Sequence, residues 1–95
     1  MFDTSILRHL LQSGKAGRLR ARGVPGGYLL AMQEGLDEQL LEAQRGGPRC
    51  FRRLDAVATY LRSLGCSTFE VEFGHWEPQA LKLQNSQGRR ALNPD

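Results

Sequence analysis

The spacing of apolar positions along this chain switches between helical and extended periods, and each switch predicts an element. Ile6, Leu7, Leu10 and Leu11 recur at helical spacing behind Asp3 or Thr4, whose side-chain oxygens can accept hydrogen bonds from the unpaired amides of a first turn. A short amphipathic helix is therefore predicted over the first fourteen residues, with Arg8, His9 and Gln12 on its polar side and Gly14 as its stop. From Lys15 the period falls to two. Arg18, Arg20 and Arg22 alternate with Leu19 and Ala21, Gly23-Val24-Pro25-Gly26-Gly27 supplies turn chemistry, and Tyr28 to Gln33 is a β-prone run, which together predict a hairpin.

A second hairpin is predicted from Gln39–Arg45 and Arg49–Arg53, which flank Gly46-Gly47-Pro48. Leu36, Leu40, Leu41 and Ala43 among Glu and Gln also suit a helix, so residues 36–45 stay open between strand and helix. Leu54, Val57, Ala58, Leu61 and Leu64 then follow a helical stripe over 54–64, with Asp55 near the positive end of the helix dipole, Arg62 near the negative end and Gly65 as the stop. Arg53 stands at its cap, where Ser, Thr, Asp or Asn would serve better. Thr68 to Phe73 alternates strictly and predicts a half-buried strand with Phe69, Val71 and Phe73 on the inner face. The sum is an α+β fold: a small antiparallel β-sheet of about four to five strands, from two hairpins plus a C-terminal strand, packed against one main helix (54–64) and a short N-terminal helix. Residues 1–83 are expected to form a single domain and residues 84–95, polar and Gly/Pro-bearing, a disordered tail.

Length and composition narrow this picture. The 95 residues suffice for one small core, and 40% hydrophobic with 24% charged residues is ordinary globular usage, which disfavours collagen-like, disordered and coiled-coil readings. The longest apolar run, Tyr28-Leu29-Leu30-Ala31-Met32, falls far short of the roughly 20 residues of a membrane helix, and no stretch resembles a signal peptide. A cytoplasmic protein without membrane contact is expected. Cys50 and Cys66 are too few for a disulfide framework or a zinc site and read as free thiols, both most simply packed as small hydrophobes.

Catalysis has little to work with. His9 and His75 stand in no metal or nucleophile pattern, and neither glycine cluster fits a phosphate-binding loop, so no enzyme, catalytic residue, cofactor, metal or small-molecule substrate is expected. Charge is more informative. Thirteen basic against ten acidic residues give +3, and the signs are segregated: Arg8 to Arg22 holds five bases and no acid, and Arg45 to Arg62 five arginines against Asp55 alone. Arg18, Arg20 and Arg22 at period two share one strand face, and Arg45, Arg49, Arg52 and Arg53 follow from the second hairpin. If the two sets meet on one face they make a site for DNA or an acidic protein surface; if they do not, they are ordinary solvation.

The segment Leu40 to Gly65, with R-x-F at Arg49-Cys50-Phe51, L-D-A at Leu54-Asp55-Ala56 and a helix ending Leu64-Gly65, followed by Phe69-Glu70-Val71, resembles a family of small partition-associated proteins of bacterial plasmids and integrative conjugative elements. That resemblance implies a non-catalytic accessory protein of a mobile genetic element, acting by contact with partition proteins or DNA, here through a basic sheet face. The same genomic setting implies an alternative, a protein-binding inhibitor or adaptor of the anti-CRISPR kind that occupies a host complex. A homodimer fits either reading.

Overall fold

The longest apolar run becomes the middle of the sheet. The structure, a computed structural model, describes residues 1–77. Arg18–Val24 (β1) and Gly27–Glu34 (β2) form the expected hairpin, antiparallel from Arg18 opposite Gln33 to Val24 opposite Gly27. The turn is tighter than the glycine cluster suggested, because Gly23 and Gly27 both lie inside strands. β2 is buried at Tyr28, Leu30 and Met32 on the helix side, while on the other face Leu29 and Gln33 are half buried around an enclosed Ala31.

The second hairpin is realised differently. After a turn at Gly35, whose φ of +61° suits glycine, Asp37–Leu40 (β3) runs back along the free edge of β2. Leu41 extends the ladder by donating to the Leu30 carbonyl at 2.9 Å. The chain then leaves the sheet and reverses through Gly46 and Gly47. It returns as Cys50–Phe51 (β4), which pairs with Leu29 and Tyr28 of the same β2 edge. Strands β3 and β4 are thus two pieces of one interrupted edge, and little of the hairpin expected between 39–45 and 49–53 remains beyond a Glu42–Pro48 bridge and two backbone hydrogen bonds. The reason is the open edge of β2: pairing with it satisfies more backbone groups than a short hairpin standing alone. Residues 37–40 are strand, which closes the alternative left open for 36–45.

Thr4–Gln12 (α1) is capped by Asp3, whose Oδ1 accepts from the Ile6 amide at 2.9 Å. Phe2 just before the cap and Leu7 four residues after it, the positions of a hydrophobic staple, are both in the core. Leu54–Ser63 (α2) starts at Arg53 with no side-chain cap, as its sequence implied. Glu70–Glu72 (β5) joins the far side of β1, in parallel, giving the order β3-β2-β1-β5 with β4 also on β2. A mixed sheet follows, five strands packed against helices on one face. β4 and β5 run the same way on opposite sides of the β2-β1 pair, about 14 Å apart at ordinary strand spacing, and ten helical residues span about 15 Å. α2 is the crossover that joins them.

The core lies between the helices and the inner sheet face, with Phe2, Leu7, Leu30, Leu41, Val57 and Leu61 fully enclosed. The Tyr60 hydroxyl shares a 2.8 Å hydrogen bond with the Thr4 hydroxyl and ties the two helices together. Three packing expectations change. Ile6 is exposed, and so is Ala58, because the buried stripe of α2 runs through Val57, Leu61 and Leu64. Val71 and Phe73, expected on the buried face of their strand, are 39% and 66% exposed, since α2 packs on β2 and β4 and leaves β5 beyond its cover. No helix among the described residues is long and apolar enough to cross a membrane. The expected tail, 84–95, and the end of the expected domain at residue 83 lie outside the described residues.

A methyl group at Gly27 would run into the Phe51 carbonyl and approach Cys50 Sγ to 2.9 Å, at the point where β4 rejoins β2. Gly27→Ala is expected to destabilise the fold by about 1–3 kcal/mol in chemical denaturation, whereas Gly74→Ala, which meets nothing within 4 Å, changes stability by less than about 0.5 kcal/mol.

Candidate functional site

Both helices lie on one side of the sheet, so its other face is open, and the strand registers decide which side chains it carries. Arg18, Arg20 and Arg22 stand on it in one column of β1, opposite Gln33, Ala31 and Leu29 of β2. On one flank β5 sets Glu70 beside Arg20 and Glu72 beside Arg22; on the other, β3 sets Glu38 beside Gln33. The result is a ladder of alternating charge. Glu70 lies 3.4 Å from Arg18 and 3.7 Å from Arg20, Glu72 lies 3.7 Å from Arg22, and Glu38 pairs with Arg22 and, at 3.7 Å, with Arg20. Arg20 also donates to Gln33 Oε1 at 3.4 Å.

Three bases therefore meet three acids, and the face is close to neutral. The structure brings Arg18, Arg20 and Arg22 together as the period-two pattern predicted, but not as an unopposed positive column. Each ion pair is at least partly open to solvent and is worth roughly 0–1 kcal/mol. A guanidinium already shared between carboxylates gains less from a phosphate than a free one, because the phosphate must compete with an existing partner.

The second arginine set lies elsewhere. Arg45, Arg49, Arg52 and Arg53 all fall within the loop and strand that leave and rejoin the β2 edge, and all four are exposed. Arg53 makes a two-point contact with Asp55, at 3.1 and 3.2 Å. Arg49 stacks its guanidinium over the rings of Phe51 (4.6 Å) and Tyr60 (4.9 Å), which fixes its direction without neutralising it. Arg45, Arg49 and Arg52 have no ion-pair partner among the described residues. The ladder being balanced, positive charge gathers off it along this edge, where four arginines between Glu42 and Asp55 stand against those two acids.

Other chemistry is sparse. Cys50, expected to be buried, is exposed, because the alternation of β4 turns Phe51 into the core and Cys50 onto the open face. Cys66 is half buried beside the core. Among the described residues no three His, Cys, Asp or Glu gather to hold a metal ion. The sequence reading missed the acidic partners of β1. Their signal was present, since Glu70 and Glu72 repeat at the same period of two, but only the parallel register of β5 on β1 aligns the two columns.

Glu38 is the one carboxylate shared by Arg20 and Arg22. Glu38→Gln is expected to lower stability by about 0.5–1 kcal/mol at low salt, and the loss should shrink towards zero in 1 M NaCl, measured by urea denaturation at both ionic strengths.

A family model described as ParC-like matches residues 2–80, which takes in every element from α1 to β5. No curated protein and no solved structure is matched by the chain. The family match spans both helices, the whole sheet and both arginine sets, so the chain belongs to the ParC-like family.

Proposed function

We propose that this protein is a non-catalytic, DNA-associated accessory of a mobile genetic element, of the plasmid or integrative-element maintenance type, and that it grips the DNA backbone through the arginines between β3 and α2. The observation that carries this reading is the contrast between the two arginine sets. Those of β1 are neutralised by Glu38, Glu70 and Glu72, while Arg45, Arg49 and Arg52 are exposed, close in sequence and free of acidic partners among the described residues.

The ParC-like match and the partition-like motifs of residues 40–71 support the same direction. The binding surface of the proposal is accordingly an edge of the sheet and not the basic sheet face that the sequence pattern suggested. Contacts of this kind position a protein on nucleic acid and carry little base specificity by themselves, which suits an accessory whose address is set by a partner.

Three phosphate contacts, one each for Arg45, Arg49 and Arg52, should give a plot of log affinity against log salt a slope of about −2.7 on duplex DNA, measured by fluorescence anisotropy of a labelled oligonucleotide between 50 and 200 mM NaCl. The double variant Arg45→Ala/Arg52→Ala should flatten that slope by about 1.5–2 and leave the unfolding midpoint unchanged, because neither side chain holds a described partner. Absence of binding at 50 mM salt, or a slope near zero, removes the DNA reading.

A further inference from the structure

At one end of the sheet, on the helix-bearing side, aromatic rings form a row across the strands. Trp76 stacks on Tyr28 with centroids 6.0 Å apart and planes 15° from parallel. Tyr28 stands opposite Phe51 in the register of β2 and β4, and Phe51 packs against Tyr60 at 5.5 Å. Arg49 covers that end of the row, over both Phe51 and Tyr60.

Gly23 locks the other end. A Cβ there would lie 2.7 Å from Trp76 Cβ and 3.0 Å from Phe73 Cα, so the backbone of β1 admits the aromatic segment only because this residue has no side chain. Tyr28 and Phe51 are buried, but Phe73 is 66% and Trp76 37% exposed. A small protein gains nothing in stability from leaving two aromatic faces in water beside a rigid row, and β5 lies beyond the reach of α2.

We infer that Phe73 and Trp76 are a stacking platform for the unpaired bases of single-stranded DNA, with Arg49, at the far end of the row, taking a phosphate. The inference rests on the DNA reading above and specifies the form of the DNA. From β5 to β4 is three strand spacings, about 14 Å, a reach suited to a short stretch of extended single strand. Duplex DNA keeps its bases stacked on one another and has no free π-face to offer, whereas any unpaired base does. The guanidinium of Arg49 at one end and exposed rings at the other match the chemistry of a single strand, which presents phosphate and base side by side.

Trp76 is the chain's single tryptophan, so its fluorescence reports the platform directly. Titration with a (dT)₂₀ oligonucleotide at 50 mM NaCl should quench that emission, and the same protein should bind the single strand at least tenfold more tightly than a 20-base-pair duplex by anisotropy. Phe73→Ala should weaken single-strand binding by about 5- to 100-fold, the range of one lost base stack, with duplex binding unchanged. Because Phe73 is mostly exposed, the variant should keep the wild-type unfolding midpoint, which separates a lost contact from a lost fold. Duplex bound as tightly as single strand, or a Phe73→Ala protein that binds (dT)₂₀ like wild type, overturns the platform while leaving the arginine grip standing. Failure to bind either oligonucleotide overturns both.

Discussion

β2 has two backbone edges and must satisfy both. With Tyr28, Leu30, Ala31 and Met32 buried, the strand sits where water cannot complete its hydrogen bonds, so each edge has to be met by another part of the chain. β1 meets one edge through a tight turn. The other edge is longer than any single following strand, and the chain covers it in two pieces, β3 and β4, with the 42–49 excursion between them. The placement of β4 then fixes where α2 begins, and the length of α2 fixes where β5 lands. The glycine at position 27 belongs to the same requirement, since only a residue without a side chain lets Phe51 come alongside. The position of each arginine set is a by-product of how these two edges are filled.

Electrostatics divides the surface rather than stabilising it. At separations of 3.4–3.7 Å and with partial exposure, the ladder pairs contribute at most about 1 kcal/mol each. Their effect is one of sign. A bare sheet face with three uncompensated arginines would attract any polyanion without discrimination. Pairing them with Glu38, Glu70 and Glu72 makes that face bland and leaves the arginines of residues 45–52 as the exposed cations without a carboxylate partner among the described residues of that edge. The carboxylates on β5 also guard an exposed edge strand, because charged side chains on a short edge discourage pairing with other chains.

Local order in this molecule was legible from the sequence, while neighbour relations were not. α1, the first hairpin and α2 each announce themselves within a dozen residues, through the Asp3 cap, the period-two run around Leu19 and Ala21, and the Leu54-Val57-Leu61-Leu64 stripe. Periodicity says which residues share a face of a strand, but not which strand lies beside it. Hence residues 39–53 read as a hairpin, though both arms are drawn to β2, and Val71 and Phe73 read as the buried face of their strand, though α2 packs elsewhere. The arginine sets were visible as residues, and their division into a neutralised and an unopposed group was not. Arg22 meets Glu38 across two strands and Glu72 across fifty residues, distances no local pattern encodes.

The same limitation of size connects packing to the proposed surface. A chain this short has one main helix of under three turns for a sheet four strands wide, and it places that helix over β2 and β4, where the largest apolar side chains need covering. The β5 side of the inner face is then uncovered by geometry, whatever residues occupy it. Polar residues there would have satisfied the fold at no cost. Phe73 and Trp76 stand there instead, and Trp76 is held in place by its stack on Tyr28 and by the absence of a side chain at Gly23. Exposure alone would be unremarked, but an exposed ring whose orientation is fixed by buried neighbours loses little entropy when a flat partner lands on it. Exposed aromatic faces at one end and the unpaired guanidinium of Arg49 at the other are what separate this surface from the charge-balanced face on the opposite side of the sheet.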